Sequence, residues 1–141
     1  MADSKPSRVL IVHNDSREAS EVQALLKNLG YVTVSTWSGL EALEWLRAEH
    51  FDVLLTDSHV PDIYIGELIE RASVLPSRPH ILVLRSRRRL PDLSRFEALG
   101  LCAILDKQQP QGILQALAAR EIMQKRFGTG SQGSADDKLE C

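Results

Sequence analysis

The run Phe51-Asp52-Val53-Leu54-Leu55-Thr56-Asp57 decides the fold prediction. Its apolar centre is typical of a buried strand, and it ends on the carboxylate of Asp57 just before a bend and Pro61. It is the third of five apolar runs, and helical patterns separate these runs from one another. Because strict alternation of strands and helices with short connections favours a parallel sheet covered on both faces, the sequence predicts an α/β fold.

The other apolar runs complete the predicted sheet. Strands are expected at residues 9–12, 31–36, 51–57, 81–84 and 101–105. Ser16 and Ser38 are the expected N-caps of the first two helices. In open parallel sheets, ligands bind outside the carboxyl ends of the strands, here at the switch point between the first and third strands. That rule selects His13, Asn14 and Asp57 as candidate site residues.

Length and composition point to one globular domain. The chain has 141 residues, of which 43% are hydrophobic and 26% are charged, with a net charge of −2. We expect a domain at residues 8–126, a disordered N-terminus at 1–7 and a flexible tail or linker at 127–141. The charge balance gives no reason to expect nucleic acid or a membrane as a partner. Cys102 and Cys141 make neither a metal spacing nor a disulfide framework, which fits a cytoplasmic protein.

Several short stretches carry a family resemblance. They are Val12-His13-Asn14-Asp15, Gly30-Tyr31, residues 39–43, Asp57 with Pro61, Gly100 and Lys107. With this spacing, residues 8–122 resemble a response-regulator receiver domain, the phosphoacceptor module of two-component signalling. The resemblance implies a flavodoxin-like (CheY-like) (βα)5 sandwich whose parallel strands have the order 2-1-3-4-5.

The resemblance also implies roles for individual residues. Asp57 would accept a phosphoryl group, and Lys107 would contact the phosphoryl oxygens. A carboxylate can attack phosphorus, but the charge that develops on the transferred group needs cations in place. In this family a magnesium ion supplies part of that charge. Its ligands here would be Asn14, Asp57 and the backbone carbonyl of His59.

The first departure from the family pattern falls in the metal site. His13 and Asn14 stand where the family has two acidic residues. Magnesium prefers oxygen ligands, and Asn14 offers one neutral oxygen whereas His13 offers none. We therefore expect weak magnesium binding, with His13 more often a hydrogen-bonded pocket residue than a metal ligand. A zinc site built from His13, His59 and Asp57 is the less favoured alternative.

The second departure concerns the residues that switch in the family. Arg85 takes the place of a hydroxyl residue, with Ser86 as the neighbour that would substitute, and Ile104 takes the place of an aromatic residue. One hypothesis is that the Arg85 guanidinium pairs with Asp57 and replaces the missing metal charge. The alternative is a solvated arginine at the start of the basic loop that continues with Arg87, Arg88 and Arg89.

The expected function is that of a protein-interaction switch and not of an enzyme. A histidine kinase or phosphotransfer protein would phosphorylate it, and a protein partner would dock on the face formed by helix 4, strand 5 and helix 5. A homodimer is also compatible with the sequence. One alternative is a pseudo-receiver that binds its partner without phosphorylation. Another is a small flavodoxin-like or phosphatase-like enzyme, which lacks support because no Gly-rich phosphate loop follows the first strand.

Overall fold

The computed structural model describes residues 7–13, 15–85 and 92–106. No helix within these ranges is long and apolar enough to cross a membrane. The predicted last helix and tail lie outside the described residues, so the domain limits 8–126 remain a prediction. The elements are β1 (Arg8–Val12), α1 (Ser16–Asn28), β2 (Val32–Thr36), α2 (Gly39–Ala48), β3 (Val53–Asp57), α3 (Ile65–Ser73), β4 (His80–Arg85), a 3₁₀ helix (Ser94–Leu99) and β5 (Leu101–Asp106).

The five strands form one sheet of order β2-β1-β3-β4-β5. All four strand pairs are parallel, which confirms the predicted topology. Val12 at the end of β1 pairs with Thr56, and Asp57 at the end of β3 pairs with Leu84. The carboxyl ends of β1 and β3 are therefore neighbours, as the switch-point rule requires.

Alternating side chains divide the core into two layers. Leu10, Val12 and Leu54 face one layer with residues of α2 and α3, and Val9, Ile11 and Val53 face the other with Leu26 of α1. This alternation follows from the pleat of a strand, whose successive side chains point to opposite faces. The run that ends at Asp57 is the central strand of the sheet, and every residue of this strand is buried.

The first two helices begin next to this edge of the sheet. Ser38 caps α2, as predicted, and accepts a hydrogen bond from the Glu41 N–H at 3.0 Å. The prediction for α1 was wrong by one residue, because Asp15 is the N-cap and accepts from the N–H groups of Arg17 and Glu18. A carboxylate at this place satisfies two helix N–H groups and also interacts favourably with the helix dipole.

Candidate functional site

Asp57 lies at the carboxyl edge of β3 and is only 2% exposed. Its Oδ1 accepts a hydrogen bond from the backbone N–H of His59 at 3.3 Å. The next residue continues the sheet, since the Ser58 N–H donates to the Leu84 carbonyl at 3.0 Å. The backbone on both sides of the carboxylate is thus held in place, and Asp57 is presented at the switch point in a defined orientation.

His13 is the first residue after β1, and it is buried with 3% exposure. Its backbone N–H donates to the Thr36 carbonyl at 3.0 Å, which holds it against β2. The ring Nδ1 accepts from the Asp15 N–H at 3.0 Å, and Nε2 lies 3.3 Å from Glu18 Oε1. Because Nδ1 accepts this hydrogen bond, a neutral ring would carry its proton on Nε2, the nitrogen that lies near Glu18.

These contacts decide between the two interpretations of His13. Nδ1 accepts a hydrogen bond from the Asp15 N–H and Nε2 lies 3.3 Å from Glu18 Oε1, so the ring is a hydrogen-bonded residue that is turned to α1. Among the described residues, no group of three or more His, Cys, Asp or Glu side chains is arranged to hold a metal ion. The alternative zinc site of His13, His59 and Asp57 is therefore wrong for this structure, since the His13 ring turns to α1.

Glu18 is a member of the site that the sequence analysis missed. It lies in the first turn of α1, three residues after the N-cap Asp15, which is the spacing of a capping box. In a capping box the acidic side chain reaches back to the N-cap backbone, whereas here its Oε1 faces the buried His13 ring. The signal for Glu18 in the sequence is the capping-box spacing from Asp15 to Glu18, directly after the strand and His13.

Removing the Glu18 carboxylate should destabilise the domain. We expect Glu18→Ala to lower the free energy of unfolding by about 1 kcal/mol, because it takes away the partly exposed carboxylate that lies 3.3 Å from the buried His13 Nε2. Glu18→Gln, which keeps a polar acceptor, should lose less. Urea denaturation measures both. The control is Glu21→Ala on the same helix, whose exposed side chain makes only a 4.0 Å pair with Arg17. Equal losses for Glu18→Ala and Glu21→Ala would contradict the prediction.

His59 contributes to the site through its backbone. Its N–H faces Asp57, and its ring Nδ1 lies 3.0 Å from the Ser58 hydroxyl, which turns the half-buried ring along the loop. The role of its carbonyl as a metal ligand stays a prediction. Other predicted site residues, namely Asn14, Ser86 and Lys107, lie outside the described residues.

Arg85 does not pair with Asp57. The register places Leu84 beside Asp57, and Leu84 packs in the core layer of Val9 and Ile11. Arg85 is one residue further along β4, so the strand's alternation directs it to the opposite face, where it is exposed. It enters none of the ion pairs formed within residues 7–13, 15–85 and 92–106. The hypothesis that Arg85 replaces the metal charge on Asp57 is therefore wrong in this structure.

Ile104, the residue at the family's aromatic position, lies in β5 opposite Val83. It is 39% exposed. An aliphatic side chain of this size on the sheet edge leaves its surroundings more open than an aromatic ring would. Its proposed part in switching remains a prediction.

The loop after Asp57 is fastened to the start of α2 by Asp62. The Asp62 carboxylate accepts from Ser38 Oγ at 2.6 Å, from the Gly39 N–H at 2.9 Å and from the Leu40 N–H at 3.4 Å. Partial burial raises the pKa of Asp62, but these hydrogen bonds outweigh it and hold the pKa below its usual value of 3.8. The loop that leaves the candidate site is thus tied to the neighbouring helix by a charged side chain.

Replacing Asp62 with a neutral residue should lower the free energy of unfolding only at pH values at which the Asp62 carboxylate is ionised. Because the pKa of Asp62 is lowered by folding, its contribution is present above pH 3.8 and is lost as the pH falls through the folded-state pKa. We expect Asp62→Asn to lose at most about 1 kcal/mol at pH 7, since the group is exposed. The difference from wild type should shrink as the pH falls below 3.8, as measured by urea denaturation. A difference independent of pH, or the same loss in the control Glu70→Gln, would count against the prediction.

The described part of the site fits a magnesium ion only weakly. Asp57 is a buried carboxylate at the sheet edge, and the His59 carbonyl is the second predicted oxygen ligand in this part of the chain. His13 offers no oxygen, and its ring is turned to Asp15 and Glu18. Since magnesium keeps several waters when few carboxylates surround it, such a site can bind the ion but with low affinity.

Comparison with known proteins places this geometry in a family. The model of the response regulator receiver domain matches residues 9–118. Residues of this chain are 36% identical over 55 positions to the polar-differentiation response regulator DivK of Brucella ovis, a match that covers 39% of this chain and 45% of that protein. A two-component response regulator of rice, ORR22, is 25% identical over 140 residues. That match covers 95% of this chain but 19% of the rice protein, so the chain spans less than half the length of these relatives.

Solved structures agree with the fold. A CheY-like receiver domain protein from Methanospirillum hungatei superimposes with a TM-score of 0.77 and 25% identity, covering 88% of this chain and 100% of that one. The receiver domain of the hybrid histidine kinase CckA, at 19% identity and a TM-score of 0.65, shares the fold. Proteins of this family are the receiver modules of two-component signalling, and they typically bind magnesium at an acidic pocket. With its sheet order, its aspartate at the switch point and the match over residues 9–118, this chain belongs to the response-regulator receiver domain family.

Proposed function

We propose that Asp57 accepts a phosphoryl group from a histidine kinase or phosphotransfer protein, and that the chain acts as a protein-interaction switch and not as an enzyme. The observation that carries this proposal is the placement of Asp57. Its carboxylate is buried at the carboxyl end of the central strand and is oriented by the His59 N–H. Family membership supplies the reaction class.

The chemistry follows from these groups. A carboxylate oxygen of Asp57 attacks the phosphorus of a phosphohistidine, the N–P bond breaks, and its electron pair stays on the donor's imidazole nitrogen, which then takes a proton. The product is an acyl phosphate on Asp57. The His59 N–H, already directed at Oδ1, can hold the carboxylate in place during attack. In the family pattern, Lys107 adds a positive charge to the phosphoryl oxygens.

Magnesium should assist this transfer only at high concentration. Bound magnesium neutralises charge on the transferred phosphoryl group. In this chain Asn14, Asp57 and the His59 carbonyl would hold the ion, with one carboxylate where the family has three. His13 adds no compensating ligand, because its ring is turned to Asp15 and Glu18. We therefore propose a receiver of low magnesium affinity.

The partner face remains part of the proposal. A protein partner would contact the face of helix 4, strand 5 and helix 5, to which the exposed Ile104 and Arg85 contribute from the described residues. A homodimer through the same face is compatible with this arrangement. The second candidate function is a pseudo-receiver that binds its partner without phosphorylation. The replacement of the acidic pair by His13 and Asn14 favours it.

Phosphorylation of the full chain tests the proposal directly. The protein is incubated with phosphoramidate at rising magnesium concentration, and intact mass spectrometry measures covalent phosphate. Amide NMR with beryllofluoride measures occupancy of the same site. We expect phosphate incorporation that needs millimolar magnesium and is absent in Asp57→Asn. Asp62→Asn, a neutralised carboxylate in the same loop, is the matched control and should still be phosphorylated.

Two results would change the conclusion. Incorporation that persists in Asp57→Asn would place the acceptor elsewhere. No incorporation and no beryllofluoride shifts, even at saturating magnesium, would refute the phosphoacceptor role and favour the pseudo-receiver. A folded wild-type spectrum in the same samples excludes unfolding as the cause.

A further inference from the structure

Thr56, the residue before Asp57, carries a hydroxyl group inside the apolar core. Its side chain is completely buried, and its register partners are Val12 on β1 and Val83 on β4. Both valines belong to the core layer that packs against α2 and α3. Because a buried hydroxyl costs free energy unless it is hydrogen-bonded, the partner of this group shows what the threonine does in the strand.

The partner of the Thr56 hydroxyl is the backbone carbonyl of Asp57, to which it donates at 3.0 Å. This carbonyl belongs to the peptide that joins Asp57 to Ser58. The N–H of the same peptide donates to the Leu84 carbonyl, also at 3.0 Å. Since a peptide unit is planar, contacts at its oxygen and at its N–H together fix its plane. The backbone that follows the Asp57 side chain is therefore held at two atoms, and one of these contacts depends on Thr56.

The orientation of this peptide matters for the Asp57 carboxylate. The next peptide carries the His59 N–H, which donates to Asp57 Oδ1 at 3.3 Å. That distance is at the long end for an N–H donor, so a small rotation of the preceding peptide would break the hydrogen bond. A hydroxyl that prevents this rotation keeps the carboxylate aligned for attack on phosphorus.

We infer that Thr56 is a positioning residue for the phosphorylation of Asp57. The inference rests on the proposed function, since it assigns Thr56 a part in that reaction. The hydroxyl touches none of the reacting atoms and acts through the peptide between Asp57 and Ser58. Valine is also β-branched and suits a buried strand, so Thr56→Val removes this hydrogen bond while it keeps the side chain's shape.

The experiment measures phosphorylation of the full chain by phosphoramidate at a saturating magnesium concentration. Intact mass spectrometry gives the initial rate for wild type, Thr56→Val and Thr56→Ser. The amide nitrogen shift of Ser58 reports on the hydrogen bond itself, because this nitrogen belongs to the same peptide as the Asp57 carbonyl. Thr33→Val is the matched control. It makes the same change in β2, which β1 separates from β3, and the Thr33 hydroxyl accepts from Gln23 Nε2 at 3.1 Å.

We expect Thr56→Val to lower the initial rate at least about fivefold, because a misoriented nucleophile reacts slowly. Thr56→Ser keeps a hydroxyl, so it should recover the wild-type rate and the wild-type Ser58 shift. Thr33→Val should stay within about twofold of wild type. Folded amide spectra and urea midpoints exclude unfolding as the cause. Thr56→Ala removes the same hydroxyl, should show the same loss, and takes the place of Thr56→Val if that variant does not fold.

Three results would overturn the inference while wild type is phosphorylated. They are a Thr56→Val rate equal to that of wild type, a Thr56→Ser rate as low as that of Thr56→Val, and an equally large loss in Thr33→Val. Failure of wild type itself to take up phosphate would instead refute the proposed function, and the role of Thr56 would fall with it.

Discussion

Replacing Asn14 with aspartate should raise the magnesium affinity of this protein by at least about tenfold. In the family pattern Asn14 occupies one of the two acidic positions, and a carboxylate there adds a charged oxygen ligand next to Asp57. A unit charge about 4 Å from another is worth about 1 kcal/mol in water and about 4 kcal/mol near a protein surface. Desolvation of the new carboxylate removes part of that gain, so tenfold is the lower end of the expectation. Magnesium titration followed by amide NMR measures the change.

The control for this experiment is Asn28→Asp, which adds the same charge at the exposed end of α1. It should leave the magnesium affinity within about twofold of wild type, because solvent screens distant surface charges. Equal gains in both variants would show a general charge effect and no defined site. An unchanged affinity in Asn14→Asp would show that position 14 does not face the ion. Either result would remove the proposed reason for weak metal binding.

Replacing Phe51 with alanine should cost about 3–5 kcal/mol of unfolding free energy. Phe51 is fully buried at the start of the central strand's run, with its ring centroid 6.4 Å from that of Trp45 in an edge-to-face arrangement. The guanidinium of Arg8 lies 4.5 Å from the same ring centroid, so the ring also carries a cation–π contact. Truncation leaves a cavity that neighbouring core residues fill only in part. Urea denaturation measures the loss.

Trp37→Ala is the matched control, since this aromatic side chain is 65% exposed. Its removal should change the unfolding free energy by no more than about 0.5 kcal/mol. A loss in Trp37→Ala as large as that in Phe51→Ala would contradict the prediction, because it would mean that the exposed Trp37 supports the fold. A small loss in Phe51→Ala would mean that the core collapses around the gap.

The parallel sheet could be predicted because it depends on patterns that a sequence displays, whereas its strand order was implied by the family resemblance. The apolar run that ends at Asp57 and the helical spacing on both sides of it leave few ways to bury the strands. The placement of Asp57 at the edge next to His13 follows from the same topology. These features are set by periodicity and by which chain segments are hydrophobic, and tertiary contacts reinforce them.

The details of the site were less predictable because they depend on side-chain direction. The hypothesis that Arg85 pairs with Asp57 rests on the position of Arg85 along the chain. The register instead pairs Asp57 with Leu84 and leaves Arg85 on the other face of the sheet. The approach of Glu18 to the His13 ring could not be predicted, because it depends on where the first turn of α1 begins. With Asp15 as the N-cap, Glu18 lies in the first turn of α1, where its Oε1 is 3.3 Å from His13 Nε2.

The hydrogen bonds between Asp62 and the first turn of α2 couple the opening of one loop to the exposure of two backbone amides. The amide protons of Gly39 and Leu40 are covered by a carboxylate that belongs to the loop after Asp57, and not by their own helix. Any opening of that loop must expose them to solvent, even when α2 itself stays intact. Their rate of exchange with deuterium therefore reports how often the loop opens, and it is measured at two backbone positions distant in sequence from Asp57.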